Sequence, residues 1–165
     1  MEELPAEAER VEVGTEMPDG VERRLVLRLL GHWRTLCGDR KMPALPDLEP
    51  ADIPEMWPHS FLVKIDQASG QHVFQALGEQ LDAPSSPSLV GKQINEADPH
   101  GLPGMALAYL NEVLEKGVPV SRGGDYSAPT GSRILYRSVL LPLSNDGTVI
   151  DGILGAVNCR EVVEH

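Results

Sequence analysis

The residue types that could hold a metal ion are present in this sequence, but their spacing matches no local metal site. The five histidines are His32, His59, His72, His100 and His165. No two of them form a His-x-x-x-His or His-Glu pair, so a metal site would require distant segments to converge. The spacing therefore predicts no metal centre.

Other catalytic patterns are also missing from the sequence. Residues 122–125, Arg-Gly-Gly-Asp, lack the lysine and serine of a phosphate-binding loop, and their glycine pair predicts a β-bulge or a bend. The two cysteines, Cys37 and Cys159, form no Cys-x-x-Cys motif and cannot build a disulfide framework, which indicates a reducing compartment. No Ser-His-Asp or Cys-His signature is present. We therefore expect a protein that is not an enzyme and that carries no cofactor.

Charge is distributed unevenly along the chain. Residues 1–20 contain seven acidic side chains against one arginine, and residues 21–41 contain six basic side chains against two acidic ones. The net charge of −11 would be repelled by phosphate backbones, so we expect no nucleic-acid binding. No segment approaches the roughly 18 to 20 apolar residues that span a bilayer, and the acidic N-terminus differs from a secretion signal. These features predict a cytoplasmic protein without membrane insertion, with a flexible acidic tail over residues 1–18.

An amphipathic helix is predicted over residues 19–37, with Asp19 as its N-terminal cap. Its apolar side chains recur at spacings of three and four, and Val26 and Leu30 widen the apolar stripe. Two interpretations remain open. The stripe packs on the domain's own sheet, or part of it, including Trp33, binds a partner or a second copy. Because the apolar residues lie on more than one side of the helix, we expect a homodimer.

The remainder of the chain predicts a connector followed by a mixed α and β domain. Prolines interrupt the connector, so it can hold only a short helix, over residues 50–57. The predicted segments are an N-terminal helical region at 19–41, the connector at 42–58 and a core at 59–160. Within the core we predict strands at 60–66, 71–77, 118–127, 133–143 and 148–159, a helix at 101–117 and a tight turn at 144–147.

This order of elements resembles a PAS domain, an α+β fold in which a long helix crosses a five-stranded antiparallel sheet flanked by small helices. Five pieces in the right order carry the resemblance: residues 33–43 (Trp-Arg-Thr-Leu-Cys-Gly-Asp-Arg-Lys-Met-Pro), 47–58, 89–94 (Leu-Val-Gly-Lys-Gln-Ile), 140–147 and 153–155. They are similar to the compact single-PAS-domain proteins of alphaproteobacteria. The resemblance covers about residues 21–160 and places an amphipathic N-terminal helix before the PAS core.

The resemblance implies that a small apolar ligand, where one binds, lies between the sheet and the crossing helix. Met105 and Tyr109 on the helix, and Tyr136, Arg137 and Leu154 on the strands, are then the candidate lining residues. Tyr136 and Arg137 occupy opposite faces of one strand, so at most one of them points inward. Met105 and Leu154 also have an ordinary interpretation as core residues.

Two local features could suggest a cofactor in such a domain. Asn158-Cys159-Arg160 matches the start of the photoactive cysteine motif of the flavin-binding LOV branch. The triplet ends a predicted strand instead of lying on a helix, and its flanking residues differ, so we expect no flavin photochemistry. His72 and His100 could ligate a haem iron, as histidines do in some PAS sensors, but capping or surface roles are the ordinary ones.

The resemblance also implies a function. The expected protein is a non-enzymatic signalling or regulatory module that acts by protein–protein interaction, with a histidine kinase pathway as the partner, with or without a small ligand. The alternative is a sensor whose function lies in a small-molecule or cofactor site within the PAS cavity. Both expectations rest on analogy of fold.

Overall fold

The computed structural model describes residues 21–82 and 87–162, and the predicted acidic tail and Asp19 cap lie outside these residues. The described chain forms an α+β fold built on a five-stranded antiparallel sheet, which confirms the predicted fold class. The strands are β1 (Ser60–Lys64), β2 (Val73–Leu77), β3 (Val120–Ser127), β4 (Arg133–Leu143) and β5 (Gly152–Val162), in the spatial order β2-β1-β5-β4-β3. The helices are α1 (Val21–Cys37), α2 (Glu79–Asp82), α3 (Leu102–Leu107) and α4 (Leu110–Lys116). None of the described helices is long and apolar enough to cross a membrane.

Helix α1 packs against β4 and β5 of its own chain. Its apolar stripe is buried, and the helix ends at Gly38, which has a left-handed φ of 57°. The indole Nε1 of Trp33 donates a hydrogen bond to the carbonyl oxygen of Pro142 at 2.8 Å. Strand β3 pairs with β4 only as far as Leu140, so this carbonyl lies beyond the end of β3. Trp33 thus satisfies a carbonyl group of β4 that β3 does not reach.

The connector between α1 and β1 forms three short 3₁₀ turns, at Leu45–Asp47, Pro50–Asp52 and Trp57–His59. The prediction of one continuous helix over residues 50–57 is therefore wrong. Pro54 lies within that range, and its missing N–H and its ring disfavour a continuous helix. Leu48, Ile53 and Met56 are buried, so the connector is anchored to the core.

The helix predicted over residues 101–117 is present as α3 and α4, separated at Ala108 and Tyr109. The backbone of Tyr109 has φ −103° and ψ 14°, outside the helical range. Gly117 ends α4 with a left-handed φ of 70°, as predicted. The break turns Tyr109 toward the sheet.

The end of the sheet also differs from the predicted hairpin. Strand β5 begins at Gly152, so residues 144–151 form a loop instead of a tight turn. The Asp146 carboxylate organises this loop by accepting hydrogen bonds from the backbone N–H groups of Thr148 and Val149 and from the Ser144 hydroxyl. Asn and Asp side chains commonly stabilise turns in this way. The loop therefore uses residues that the alternating apolar pattern assigned to a strand.

Candidate functional site

The two faces of the sheet separate the predicted ligand-binding residues. Tyr136 and Arg137 are adjacent on β4, so their side chains lie on opposite faces. Leu154 pairs with Leu141, which shares the face of Arg137. Both faces are buried at the centre of β4 and β5, where α1 covers one and the crossing helices cover the other. Tyr109 interacts with Tyr136, so α3 and α4 cover the Tyr136 face and α1 covers the Arg137 face.

The structure therefore brings together only some of the expected lining residues. Tyr109 and Tyr136 meet, and Met105 lies half-buried on α3. Arg137 and Leu154 are buried, with exposures of 4% and 0%, on the opposite face of the sheet. Arg137 and Leu154 therefore do not lie with the other predicted lining residues, because strand alternation directs their side chains toward α1.

The residues predicted to contact a partner are also placed in the core. Val26, Leu30 and Trp33 have relative exposures of 1%, 7% and 6%. They pack with the domain's own sheet, which is the first of the two interpretations of the helix. The exposed side of α1 instead carries Leu27 and Arg28, and Arg28 forms an ion pair with Glu55 at 2.8 Å. Because Val26, Leu30 and Trp33 are buried in the domain's own core, they do not form the expected partner surface.

All three tyrosines of the chain, together with Arg122, form a cluster on the sheet face that α3 and α4 cover. The rings of Tyr126 and Tyr136 lie 6.2 Å apart between centroids, at an interplanar angle of 51°. The guanidinium carbon of Arg122 lies 5.5 Å from the ring centroid of Tyr109, within the range of a cation–π contact. We call Tyr109, Arg122, Tyr126 and Tyr136 the tyrosine–arginine cluster.

Ionic contacts fix the position of Arg122. Its Nη2 contacts Oε2 of Glu112 on α4 at 2.5 Å, and its Nη1 donates to the carbonyl oxygen of Ser121 at 2.9 Å. Lys116 contacts the same Glu112 oxygen at 3.1 Å. Since Arg122 lies on β3 and Glu112 on α4, the contact links the crossing helix to the outer strand. The contacts of Arg122 in the cluster therefore depend on the position of α4 relative to the sheet.

Two glycines make room for the side chains of β4. A Cβ at Gly124 would lie 3.2 Å from the Tyr136 ring, and a Cβ at Gly123 would lie 2.8 Å from the Tyr136 carbonyl oxygen and 3.0 Å from the Arg137 guanidinium. The register of β3 with β4 continues through both glycines without interruption. The bulge or bend predicted at this pair is therefore wrong, since the glycines admit neighbouring side chains across a regular ladder.

The cluster is suited to binding and not to proton transfer. Burial raises the pKa of Tyr136, and the neighbouring Tyr109 raises it further. Burial also raises the pKa of Tyr126, with a smaller contribution from Cys159. Both phenols are consequently neutral at physiological pH, where they present aromatic faces and hydroxyl groups. Burial raises the pKa of the Cys37 thiol as well, which disfavours its reactive thiolate.

The described residues contain no group of three or more histidine, cysteine or acidic side chains placed to hold a metal ion. His72 Nδ1 accepts a hydrogen bond from the backbone N–H of Asp66 at 3.2 Å, in the turn between β1 and β2. The Asn158-Cys159-Arg160 triplet lies in β5, where Cys159 pairs with Tyr136. These residues therefore take part in strand and turn structure.

Sequence reasoning missed Arg122, Tyr126 and Glu112. The β3–β4 hairpin pairs Tyr126 with Ile134 and Gly124 with Tyr136, so Tyr126 and Tyr136 are diagonal neighbours on one face. Counting back from the turn at residues 128–132 could have revealed this pair. The contact with Glu112 depends on how α4 packs, and no local pattern signals it.

A small cleft lies at another part of the same layer, between α2 and α3. Its volume is about 270 Å³, just below the range of roughly 300–1,000 Å³ that is typical of ligand sites. The sheet surface beside the crossing helices is filled by Phe61 and Phe74, which are fully buried and pack edge to face at 6.2 Å between ring centroids. The cleft is lined by Gln80, Leu81, Leu89, Ala97, Asp98, Gly101, Leu102 and Pro103.

A five-stranded antiparallel sheet crossed by helices on one face defines a class of small sensory and signalling domains. The family model described as "PAS domain" matches residues 22–158, and the chain belongs to the PAS domain family. PAS domains are a family of signalling and sensor modules.

Comparison with solved structures gives distant similarities. The structure described as an RsLOV d2 variant is 14% identical, with 62% of this chain and 58% of that chain covered and a TM-score of 0.39. The PAS domain of a protein from Colwellia psychrerythraea is 15% identical, with 70% of this chain and 98% of that chain covered and a TM-score of 0.39. This chain thus spans less than two thirds of the RsLOV chain. No match was found among curated proteins.

Proposed function

We propose that this protein is a non-enzymatic, cytoplasmic regulatory module that binds a signalling protein, such as a component of a histidine kinase pathway, through the tyrosine–arginine cluster. The observation that carries the proposal is the convergence of every tyrosine of the chain, with one arginine, at a partly exposed site. Tyr126 is 39% exposed. Tyrosine and arginine are enriched among the residues that dominate binding energy at protein interfaces.

The position of the cluster supports a regulatory role. Arg122 and Glu112 connect β3 with α4, so a partner that contacts Tyr126 or Arg122 also acts on the crossing helix. The net charge of −11 favours association with a basic partner surface by long-range attraction. Binding at the cluster therefore couples a surface contact to the interior of the domain.

The test is site-specific cross-linking in the native host followed by affinity measurement. A photoreactive phenylalanine analogue at position 126 should capture a signalling protein, and the same analogue at position 149 should not, although Val149 is 51% exposed. With the purified captured protein, Tyr126→Ala should weaken binding about tenfold or more, which corresponds to about 1.4 kcal/mol, and Val149→Ala should have no effect. Equal capture at both positions, or equal affinity of the two variants, would overturn the proposal.

The second candidate function is sensing of a small apolar ligand, and the cleft between α2 and α3 supports it. Leu81, Leu89 and Leu102 supply an apolar lining. Native mass spectrometry of gently purified protein should then show an added mass, and Leu102→Trp should remove it by filling the cleft. A single unliganded mass for the wild-type protein, together with no binding of fatty acids of graded length, would exclude this function.

We also propose that the protein forms a homodimer. The helix face expected to mediate it is buried, whereas the outer strand β3 is exposed from Gly123 to Ser127. Because this segment includes Tyr126, a second copy and the signalling protein compete for this edge of the sheet. Edge strands present unpaired backbone groups that can pair with a second copy. Light scattering should give the mass of a dimer at micromolar concentrations, and a monomer at high micromolar concentrations would contradict this part of the proposal.

A further inference from the structure

An open groove lies beside β2, at the opposite edge of the sheet from β3 and the tyrosine–arginine cluster. Its volume is about 680 Å³. The groove lies between the connector and the segment that ends β2 and begins α2. We call it the proline groove, and it is lined by Pro50, Ala51, Pro54, Trp57, Pro58, Leu77, Glu79 and Asp82.

The two segments that flank the proline groove are packed closely against each other. A Cβ at Gly78, the residue that follows β2, would lie 1.9 Å from the carbonyl oxygen of Trp57, so the backbone leaving β2 is in direct contact with the connector. The N–H of Gly78 donates to the carbonyl oxygen of Ser60 at 2.7 Å, and the Ser60 hydroxyl donates to the carbonyl oxygen of Met56 at 2.8 Å. Prolines further restrict the backbone. The groove is therefore formed before any ligand arrives, which lowers the entropic cost of binding.

The walls offer apolar surface and one aromatic hydrogen-bond donor. The three prolines of the lining have no backbone N–H. Within the described part of the chain, the indole Nε1 of Trp57 donates to no acceptor, whereas that of Trp33 is bonded to Pro142. A bound segment can therefore supply a carbonyl oxygen to Trp57.

Negative charge surrounds the proline groove. Glu79 and Asp82 line it directly, and neither forms an ion pair with a base in the described residues. The Asp82 carboxylate accepts hydrogen bonds from the Ser88 hydroxyl and the Leu89 N–H, which are neutral donors. Residues 42–63, which build the connector side, contain four acidic residues and no lysine or arginine. A basic side chain on a bound segment would meet these carboxylates without a competing cation in the lining.

We propose that the proline groove binds an extended, proline-containing segment of a partner protein, with a lysine or arginine placed against Glu79 and Asp82. Segments in the polyproline II conformation have no internal hydrogen bonds, so their carbonyl groups are available to the Trp57 indole. Aromatic-lined grooves recognise such segments because the segments lose little conformational entropy on binding. The proposal is independent of the tyrosine–arginine cluster, because the two surfaces lie at opposite edges of the sheet.

The experiment is titration of ¹⁵N-labelled protein with a synthetic peptide, observed through its two indole N–H signals. The probe is a capped decapeptide with prolines at alternate positions and two arginines at one end. The Trp57 signal should shift on titration and the Trp33 signal should not, since Trp33 is 6% exposed and already bonded. Trp57→Phe, which should leave the Trp33 signal in place, assigns the two signals.

Charge variants test the chemistry of recognition. Glu79→Lys should weaken peptide binding about tenfold or more, whereas Glu115→Lys, an equal change of charge at an exposed position on α4, should leave it unchanged. The same peptide with glutamates in place of arginines should bind at least tenfold more weakly. Absence of a Trp57 shift at millimolar peptide, equal affinity for the arginine and glutamate peptides, or equal effects of the two lysine variants would each overturn the proposal.

Discussion

Replacement of Trp33 by phenylalanine tests whether α1 stabilises its own sheet in the way that the structure shows. The indole is 6% exposed and donates a 2.8 Å hydrogen bond to the carbonyl oxygen of Pro142. The backbone N–H and C=O groups of alternate β4 residues point toward β3, and β3 ends at its pairing with Leu140. The indole therefore occupies the position at which the next strand hydrogen bond would form.

The expected loss has two contributions. A buried acceptor left without its donor costs about 1–3 kcal/mol. The smaller phenyl ring also loses roughly 1 kcal/mol of buried contact. We expect Trp33→Phe to lower the free energy of unfolding by about 2–4 kcal/mol, which corresponds to a fall in Tm of about 6–12 °C for a domain of this size.

The measurement is urea and thermal unfolding followed by far-ultraviolet circular dichroism at several protein concentrations. Trp57→Phe is the matched control and should cost less than about 1 kcal/mol, because Trp57 is only partly buried and its indole has no hydrogen bond in the described residues. Losses below about 0.5 kcal/mol for Trp33→Phe, or equal losses for both variants, would refute the reasoning.

Three further predictions concern packing and charge. Gly155→Ala should lower the free energy of unfolding by about 2–3 kcal/mol, because its Cβ would lie 2.2 Å from the buried ring of Phe61. Gly31→Ala, in open space within α1, should raise the free energy of unfolding by about 0.5–1 kcal/mol in the same assay. Leu30→Glu should prevent stable folding by burying an unpaired carboxylate, whereas Leu27→Glu, at a position 39% exposed, should change Tm by no more than about 2 °C. Hydrogen bonds from two backbone N–H groups and a serine hydroxyl hold the pKa of Asp146 below its usual value, so its stabilising effect is present above about pH 4 and is lost as pH falls further. Asp146→Asn should therefore destabilise the protein at pH 7 but have little effect near pH 2, as measured by Tm.

Each of these predictions has a contrary outcome. A stable Gly155→Ala variant would mean that the sheet does not hold Phe61 against that strand. Folding of Leu30→Glu with normal stability would place this side of α1 in solvent and would restore it as a candidate dimer surface. A destabilisation by Asp146→Asn that is equal at both pH values would mean that the carboxylate is not protonated in this range.

Local physical rules predicted the regular elements of this fold well. Alternating apolar residues located β1, β2 and β4, and the spacing of three and four located α1. The predicted helix ends at residues 37 and 117 are confirmed, because Gly38 and Gly117 adopt the left-handed conformation that favours glycine. These signals succeed because strand pleat and helix period act over a few residues of chain.

Other parts of the fold depend on contacts between distant segments. Tyr109 interrupts the crossing helix where it meets Tyr136, and Asp146 holds a loop in a segment whose apolar residues suggested a strand. At Gly123 and Gly124, a regular ladder replaced the expected bulge because side chains from β4 fill the space above them. Tertiary packing overrides local preference at such positions.

The candidate sites show most clearly which features the sequence predicts and which features depend on the tertiary structure. Composition and patterning predicted an acidic, mixed α and β domain, and the resemblance of five segments to known proteins indicated the PAS family. The tyrosine–arginine cluster and the proline groove required the tertiary structure, because their members lie on separate elements. Which tyrosines meet depends on strand register and on the packing of α4, and whether the apolar face of α1 is a partner surface depends on whether the sheet beneath it is already covered. Those are properties of the assembled layers, and local sequence periodicity carries no information about them.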